Sequence, residues 1–552
     1  MRRASIPWLV LILAACGDAP AGEESSSTSS ETTAVPTSGG PASSGGDSST
    51  GGSSSSGGDS SSSGTTGEPP PDVLPPLAEP VVRTDQTLRV PVHAVDAEKL
   101  LDMRVPADVE LALGDGYGEI VLADGEPVLA RTLDDSEPPA PGPSPQLLVR
   151  FVHLADTQLA DDESPSRLAS FDQVSGGAFR PEEAYTCRML NAAARTINRL
   201  HVDLPLNFVL LGGDNTDNAQ SNELEWFMGI LDGDPVVECD SAIDDDPVPG
   251  PDNDPKDRFA PVGLDVPWRW VSGNHDTLRQ GNWPVADWMA EPIGTTATSG
   301  TRDWSLPGGP VVTGQVPGDP ARAFLGEAER LQRVADAGDG HGITAEALAL
   351  AKATYTFDVE GSPLRIFVLD TSSSTGGSKG LIRQKHIDEV IEPILQQAAD
   401  DDKLVIVTAH HRADSLADGN DAGVGETFAD AVLSPEWVDY LGSHPHVILQ
   451  LGAHTHRMAV QPRTPMGGHA YWEVVSPALA DFPHQMRLVE VWDQDNGFLT
   501  IRTVALDFAT EGDPLAEEGR TRGVMDFTAA WSYDGRGDDA SQRNVELWIP
   551  MP

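Results

Sequence analysis

Basic residues are scarce in this chain. Its 552 residues include 36 lysines and arginines against 86 aspartates and glutamates, which gives a formal net charge of −50. A surface this acidic repels a phosphate backbone, so the composition excludes nucleic acid as a general partner. It fits a soluble, exported protein. Highly anionic substrates would also be repelled unless the binding site carried its own cations.

Cysteine is nearly absent as well. Beyond Cys16, the chain has only Cys187 and Cys239. Neither has a second thiol nearby, which argues against a two-cysteine metal site. Export permits a disulfide between them, and their separation in the sequence neither requires nor forbids one.

No apolar run beyond the N-terminus is long enough to span a bilayer. Residues 1–15 have two arginines, a short apolar core and small residues before Cys16, which predicts a secretory signal peptide. This site resembles the lipobox of bacterial lipoproteins, which implies that lipidation of Cys16 anchors an exported protein to the cell envelope. Membrane contact is then expected only through the lipid. Residues 16–74 are mostly Ser, Gly and Thr and predict a disordered linker.

The rest of the chain divides by composition into three parts. Residues 75–146 predict a small β-rich N-terminal region, with β-like runs at 87–95, 109–113, 118–122 and 127–133. Residues 147–511 alternate apolar strand-like runs with amphipathic helical stretches, which predicts an α/β domain. Within it, residues 293–342 predict an insertion that is a candidate lid or substrate loop. Residues 512–552 are polar with scattered aromatics and receive no assignment.

Five strand-like runs of the α/β domain end in side chains that are able to bind metal. The carboxyl ends of strands are where α/β folds bind ligands. Histidines and carboxylates together suit divalent transition metals. The clusters are Asp156 with Gln158, Asp214 with Asp217, Asn274 with His275, His410, and His454 with His456.

In their order and spacing, these clusters resemble the signature blocks of calcineurin-like metallophosphoesterases. The resemblance covers roughly residues 147–506, and residues 473–483 also resemble a block of exported bacterial members. It implies a four-layer α-β-β-α sandwich of two mixed sheets. The implied activity is hydrolysis of phosphomonoesters or phosphodiesters by direct attack of a metal-bridging hydroxide. The blocks here are Asp-Thr-Gln at 156–158, Gly-Asp-Asn-Thr-Asp at 213–217, Gly-Asn-His-Asp at 273–276, His410, and Gly-Ala-His-Thr-His at 452–456.

The resemblance also implies a role for each residue. His275 would be the acid near the leaving group, and Asp217 would orient it. Two divalent ions, Mn, Fe or Zn, would act on a small phosphorylated substrate. The implied ligands are Asp156, Gln158, Asp214 and His456 for one ion, and Asp214, Asn274, His410 and His454 for the other.

Gln158 departs from the family pattern, which usually has a histidine at this position. Glutamine keeps a neutral oxygen ligand but changes the softness and geometry of the site. This departure leaves an alternative open: a non-catalytic surface lipoprotein that retains the fold to bind a metal or a ligand. The presence of His275 and Asp217 favours the enzyme. No motif indicates the substrate-binding residues or the oligomeric state.

Three neighbouring side chains have simpler interpretations. His153 lies in an apolar strand and is interpreted as structural. His411 either lines the pocket or packs on the face opposite His410. Asp276 is interpreted as structural or as a residue that orients the block to which it belongs.

Overall fold

The structure is a computed structural model that describes residues 71–91, 100–167, 169, 179–240, 255–285, 296–302, 311–316, 318–421, 423–529 and 539–552. The predicted signal peptide, Cys16 and the linker as far as residue 70 lie outside the described residues. Among the residues described, no helix combines the length and apolar character that crossing a bilayer requires.

A seven-stranded sheet, here called the first sheet, contains three adjacent parallel strands. Gln146–Leu154 pairs in parallel with Phe208–Leu211, which pairs in parallel with Trp268–Arg269. The next neighbours are antiparallel, so the sheet is mixed. Its strand order is Leu129–Thr132, Val545–Pro550, Phe498–Asp507, Gln485–Asp493, Gln146–Leu154, Phe208–Leu211 and Trp268–Arg269.

A six-stranded sheet, the second sheet, is also mixed. Its four central strands run parallel, and one antiparallel strand lies at each edge. The strand order is Tyr355–Asp358, Leu364–Val368, Leu404–Thr408, Val447–Gly452, Tyr471–Val475 and Ala459–Arg463.

The two sheets pack face to face, and helices cover their outer faces. Alternate residues of a strand point to opposite sides. Phe151 therefore enters the core between the sheets, while Val152 packs under the helices. On helix Thr186–Asp203, the buried Met189 and Ile197 lie on the face that covers this side. The predicted four-layer α-β-β-α sandwich is confirmed.

Four helices of the described residues contribute to the apolar layer outside the first sheet, and the helices outside the second sheet form its counterpart. Those of the first layer are Thr186–Asp203, Ser221–Asp232, Glu327–Asp336 and Pro514–Ala529. Those of the second layer are Gln384–His386, which continues through the π-helical Ile387–Ile391 into Glu392–Asp400, and Ser434–Gly442.

The N-terminal region differs from the prediction at one element. Residues 109–113 were expected to be β-like, but they lie in helix Pro106–Asp115. Proline in its first turn and Gly116 at φ 81° are the signals of helix start and stop. The buried Val109 and Ala112 are three residues apart, which is the spacing of one face of a helix. Strands Thr87–Pro91 and Ile120–Asp124 form an antiparallel hairpin nearby.

The C-terminal residues, which received no assignment from the sequence, complete the fold. Helix Pro514–Ala529 packs on the first sheet, and Val545–Pro550 is one of its strands. That strand joins Phe498–Asp507 to Leu129–Thr132, so the N-terminal region and the C-terminus share one sheet.

The described part of the predicted insertion contains a hairpin and a helix. Strands Thr296–Arg302 and Val311–Gln315 pair antiparallel, and helix Glu327–Asp336 follows. Arg322 and Arg330 are buried, and the Arg330 guanidinium donates to the backbone carbonyl of Asp276. The segment around this helix is therefore fixed to the body of the domain, and a role as lid or substrate loop stays a prediction for the hairpin.

Smaller elements fill the remaining described chain. The strands are Asp72–Val73 paired with Phe259–Ala260, and Asn420–Asp421 paired with Val424–Gly425. The helices are Asn274–Thr277 and Ala345–Leu350, with 3-10 turns at Pro165–Arg167, Glu183–Tyr185, Pro320–Arg322, Ala413–Ser415 and Ala540–Gln542.

Candidate metal centre

The carboxyl ends of parallel strands from both sheets meet at one edge of the sandwich. The loops that follow Leu154, Leu211 and Arg269 come from the first sheet, and those that follow Thr408 and Gly452 come from the second. These loops carry the five predicted clusters. A fold with this topology brings ligands from distant parts of the sequence to one place.

The backbone of these loops is strained at the predicted ligands. Asp156, Gln158, Asp214, His454 and His456 all have positive φ, between 42° and 71°. This left-handed region is uncommon for residues with a side chain and costs free energy. Its concentration at five predicted ligands is typical of a functional site.

Gly213 allows three of the loops to approach one another. Its φ is 85°, and a Cβ there would lie 2.8 Å from His410 Nδ1 and 2.9 Å from the backbone nitrogen of Gly273. Any side chain at this position would push the loops apart. The Gly-Gly turn before Asp214 is therefore a packing requirement of the site.

Asp214 lies at the centre of the cluster. Its Oδ2 atom is 3.0 Å from His410 Nε2 and 3.4 Å from Gln158 Nε2. Its Oδ1 atom accepts a hydrogen bond of 2.7 Å from the backbone nitrogen of His275. Asp156 lies beside this group, with Oδ1 3.9 Å from His410 Nε2 and 3.3 Å from His456 Nε2.

Six predicted ligand side chains present buried polar atoms that make no hydrogen bond of normal geometry within the described part of the chain, although His410 Nε2 and His456 Nε2 lie at ion-pair distance from a carboxylate. A buried polar atom left in this state costs about 1–3 kcal/mol, so such atoms require a partner. Imidazole nitrogens with carboxylate and amide oxygens are a donor set that suits divalent transition metals. The residues therefore fit a metal centre. The atoms are Asp156 Oδ1, Gln158 Oε1, Asn274 Oδ1, His410 Nε2, His454 Nδ1 and His456 Nε2.

Electrostatics at the site also indicate a cation. Burial opposes protonation of His410, but Asp214 outweighs it and raises the pKa of His410 to about 9. In the same way, Asp481 and Asp156 raise the pKa of His456 to about 10 against the effect of burial. Burial and the neighbouring imidazoles of His411 and His410 lower the pKa of His454. Without metal, protons on His410 and His456 supply the positive charge that the carboxylates attract.

His411 is buried beside the predicted ligands, and each of its ring nitrogens already has a hydrogen-bond partner. Its Nε2 lies 2.9 Å from the carbonyl oxygen of Ser378, which can only accept, and its Nδ1 lies 2.8 Å from the hydroxyl of Thr371. Burial, followed by the charge of His410, lowers the pKa of His411 to about 3. Its ring is therefore a neutral group that lies beside the predicted ligands, with its centroid 4.6 Å from that of His454, and it is near enough to His410 and His454 to belong to a group that could hold a metal ion.

His275 and Asp217 are brought together next to Asp214. His275 Nδ1 lies 3.1 Å from Asp217 Oδ1 and 3.0 Å from the Asp217 carbonyl oxygen. Both oxygens accept, so Nδ1 carries a proton, and Nε2 lies 4.0 Å from Asp214 Oδ2. The Nε2 edge of the imidazole is thereby turned towards the predicted ligand Asp214.

Asp276 fixes two of the sequence blocks to each other. Its carboxylate accepts hydrogen bonds of 2.8 Å from the backbone nitrogen of Gly273 and 3.1 Å from those of Asn215 and Thr216. Burial, followed by the charge of Asp214, raises the pKa of Asp276 to about 6. Its role is to orient the loops, as one of the sequence interpretations stated.

A family model describes a region that includes all five clusters. The model of calcineurin-like phosphoesterases matches residues 149–458, which is more than half of the chain. The chain belongs to the calcineurin-like phosphoesterase family. It is therefore a metal-dependent phosphoesterase, a hydrolase that acts on phosphate esters.

Solved structures similar to this calcineurin-like phosphoesterase include two phosphatases. A dimetal phosphatase from Danio rerio has 12% identity and a TM-score of 0.37, and the match covers 66% of this chain and 100% of that one. The purple acid phosphatase PPD1 from yellow lupin (Lupinus luteus) seeds has 13% identity and a TM-score of 0.30, with coverage of 70% and 54%. GAP50, the anchor in the inner membrane complex of Plasmodium, has 12% identity and a TM-score of 0.26, with coverage of 69% and 96%. The comparison with curated proteins returned no match.

Sequence reasoning missed three charged residues behind this family site, one of which is the buried Arg167 that contacts the Asp217 carboxylate. The Asp481 carboxylate contacts His456 Nδ1, and Arg180 contacts the carboxylates of both Asp481 and Asp217. Asp481 lies within residues 473–483, which had been noted as resembling a family block. Arg180 lies in a loop without any motif, so the sequence offered no signal for it.

Proposed function

We propose that the protein hydrolyses phosphomonoesters or phosphodiesters at a centre that holds two divalent ions, Mn, Fe or Zn. The observation that carries this proposal is the set of buried, unbonded ligand atoms gathered around Asp214. When bound, two such ions would neutralise phosphate charge and lower the pKa of a water. They would also give this acidic protein the local positive charge that its anionic substrate requires.

The proposed ligands divide into two sets that share Asp214, as the resemblance to the family implies. Asp156 lies near His456, and Gln158 lies near Asp214. Asp214 has two carboxylate oxygens, which suits it to contact both ions. The proposed ligands are Asp156, Gln158, Asp214 and His456 for one ion, and Asp214, Asn274, His410 and His454 for the other.

His275 is proposed to give a proton to the leaving group. Because Asp217 holds the Nδ1 proton, the imidazole faces the site with Nε2. A protonated Nε2 placed there neutralises the oxygen that departs as the ester bond breaks. Water attacks phosphorus directly in this scheme, so no side chain forms a covalent bond to the phosphoryl group.

The proposed location is the bacterial cell envelope, periplasmic or surface-facing, with the exported chain anchored through a lipid on Cys16. The basic and apolar residues 1–15 and the acidic composition support it. A disulfide between Cys187 and Cys239 is consistent with an oxidising compartment. The proposed substrate is a small phosphorylated compound, and the membrane is a partner only through the lipid.

Hydrolysis of nitrophenyl phosphate and bis(nitrophenyl) phosphate tests the proposal. The purified full-length protein is loaded with Mn, Zn or Fe, and its metal content and folded state are measured in the same samples. Turnover of either compound by a sample with two ions bound is expected, and the ratio of the two rates gives the preference for monoester or diester. Absence of turnover of both by a folded, doubly loaded sample would overturn the proposal and favour a binding role.

A further inference from the structure

Two histidines of the site each have a carboxylate against Nδ1, the ring nitrogen that faces away from the predicted ligands. The carboxylate of Asp481 contacts His456 Nδ1, and that of Asp217 contacts His275 Nδ1 at 3.1 Å. In each pair the partner carboxylate fixes which ring nitrogen faces the site. His456 is a proposed metal ligand, and His275 is the proposed proton donor.

Arg180 joins these two carboxylates, and the buried Arg167 also contacts the carboxylate of Asp217. Its Nε lies 2.8 Å from Asp481 Oδ1, and its Nη1 lies 3.3 Å from Asp217 Oδ1. The Arg180 side chain is 7% exposed, and that of Asp217 is fully buried. A continuous series of contacts therefore runs from His456 through Asp481, Arg180 and Asp217 to His275.

Arginine is suited to this place by its shape. Its planar guanidinium presents donors in fixed directions, so two carboxylates bound to it are held at a fixed distance and orientation. Lysine carries the same charge on a single nitrogen and does not impose this geometry. The Arg180 backbone nitrogen also donates to Glu183 Oε1 at 2.8 Å, which fixes the start of the side chain.

We propose that Arg180 is a positioning residue that sets the orientation of the metal ligand His456 and the proton donor His275 together, through Asp481 and Asp217. This inference rests on the proposed function. Arg180 is not among the proposed ligands, and its effect passes through the two carboxylates. Loss of Arg180 should therefore weaken metal binding and slow turnover at once, although it is neither a ligand nor a proton donor.

Metal binding gives a test that does not depend on activity. In the full-length protein, Arg180→Met is expected to weaken the affinity for Co²⁺ by up to about 10-fold, because Arg180 acts through Asp481 and loss of a ligand's direct partner costs about 10- to 100-fold. The visible spectrum of the Co²⁺-loaded protein should change, since His456 is released from its fixed orientation. Arg180→Lys should restore part of the affinity. Chelator competition and absorption spectroscopy measure both effects.

Arg195→Met is the matched control for loss of a buried arginine. Arg195 is buried, and its Nη2 donates to the carbonyl oxygens of Pro75 and Glu511 at 2.8 and 3.0 Å. This variant should lower the melting temperature and leave the Co²⁺ affinity and spectrum unchanged. An equal loss of Co²⁺ affinity in Arg195→Met and Arg180→Met would overturn the proposal, because the effect would then follow general stability.

Double-variant cycles test whether Arg180 acts through the two carboxylates. Arg180→Met combined with Asp481→Asn should bind Co²⁺ no more weakly than the weaker single variant. The double variant Arg180→Met, Asp217→Asn should lower kcat no further than the worse of the two single variants. In all three variants, KM for nitrophenyl phosphate should change less than kcat. Fully additive losses in both cycles would overturn the proposal.

Two further outcomes separate this inference from the proposed function. If the wild-type protein binds two ions without turnover, the proposed function fails. The Co²⁺ affinities of Arg180→Met, Asp481→Asn and the double variant then still test whether Arg180 acts on His456 through Asp481. If Arg180→Met does not fold, Asp481→Asn replaces it, since the Asp481 side chain is 30% exposed and its loss is easier to tolerate. A wild-type Co²⁺ spectrum and affinity in Asp481→Asn would overturn the inference.

Discussion

His410 places its Nε2 atom 3.0 Å from Asp214 Oδ2 while its Nδ1 atom lies 2.8 Å from the carbonyl oxygen of Gly212. The carbonyl only accepts, so Nδ1 carries a proton, and Nε2 faces the carboxylate. Asp214 in turn accepts from the backbone nitrogen of His275. One carboxylate therefore connects loops from both sheets, and its loss should affect both ions.

Asp214→Asn should lose both ions and reduce activity by about 100-fold or more, since even residues behind a ligand change affinity by 10- to 100-fold. The amide has the same shape but lacks the charge that offsets two neighbouring cations. Metal analysis of the dialysed protein measures the loss. Asp217→Asn is the comparison, because Asp217 contacts His275 and is not a proposed ligand, and it should retain metal. Two ions at wild-type occupancy in Asp214→Asn would remove its bridging role.

His275→Ala should retain both ions and lower kcat by about 10²- to 10⁴-fold, the range for loss of a general acid. The imidazole is not among the proposed ligands, so the metal content should match the wild type. His201→Ala is a suitable control, since His201 accepts from the Leu206 backbone nitrogen at the other end of strand Phe208–Leu211. Unchanged kcat in His275→Ala would show that another group supplies the proton.

Metal affinity should rise with pH. In the metal-free protein the pKa of His410 is about 9 and that of His456 is about 10, so both imidazoles are protonated at neutral pH. A metal binds the neutral form, and each histidine must release its proton first. Below these pKa values, each such histidine contributes about a tenfold gain in affinity per pH unit. Chelator competition between about pH 6 and pH 9 measures the slope, and an affinity independent of pH would contradict the assignment of these ligands.

The disulfide between Cys187 and Cys239 should contribute to stability. The two cysteines are 52 residues apart in the sequence, and closing a loop of this length lowers the entropy of the unfolded chain. Replacing both by alanine should lower the free energy of unfolding by about 4 kcal/mol. Denaturant unfolding of the wild-type and double-variant proteins measures this difference. Equal unfolding midpoints under non-reducing conditions would contradict it.

The site was more predictable from sequence than the structure that supports it. Asp156, Asp214 and His410 directly follow apolar strands, and this pattern is local, so the sequence located them. The contact of Arg180 with Asp481 joins residues 301 positions apart and has no local signal. The helix at Pro106–Asp115 was missed because a short apolar run fits both periods. Strand Val545–Pro550 was missed because its partners are distant in the sequence.

Gln158 gives the last prediction, because it replaces the histidine usual in the family. Its side chain is buried, Oε1 has no hydrogen bond within the described residues, and Nε2 lies 3.4 Å from Asp214 Oδ2. A neutral oxygen ligand favours harder ions, while imidazole favours Zn and Fe. Gln158→His should therefore bind Zn more tightly relative to Mn than the wild type does.

Gln158→Ala should weaken the binding of one ion and leave the other bound, because only one ligand set contains this residue. Competition titrations with Mn and Zn measure both effects, and wild-type affinity for two ions in Gln158→Ala would exclude Gln158 as a ligand.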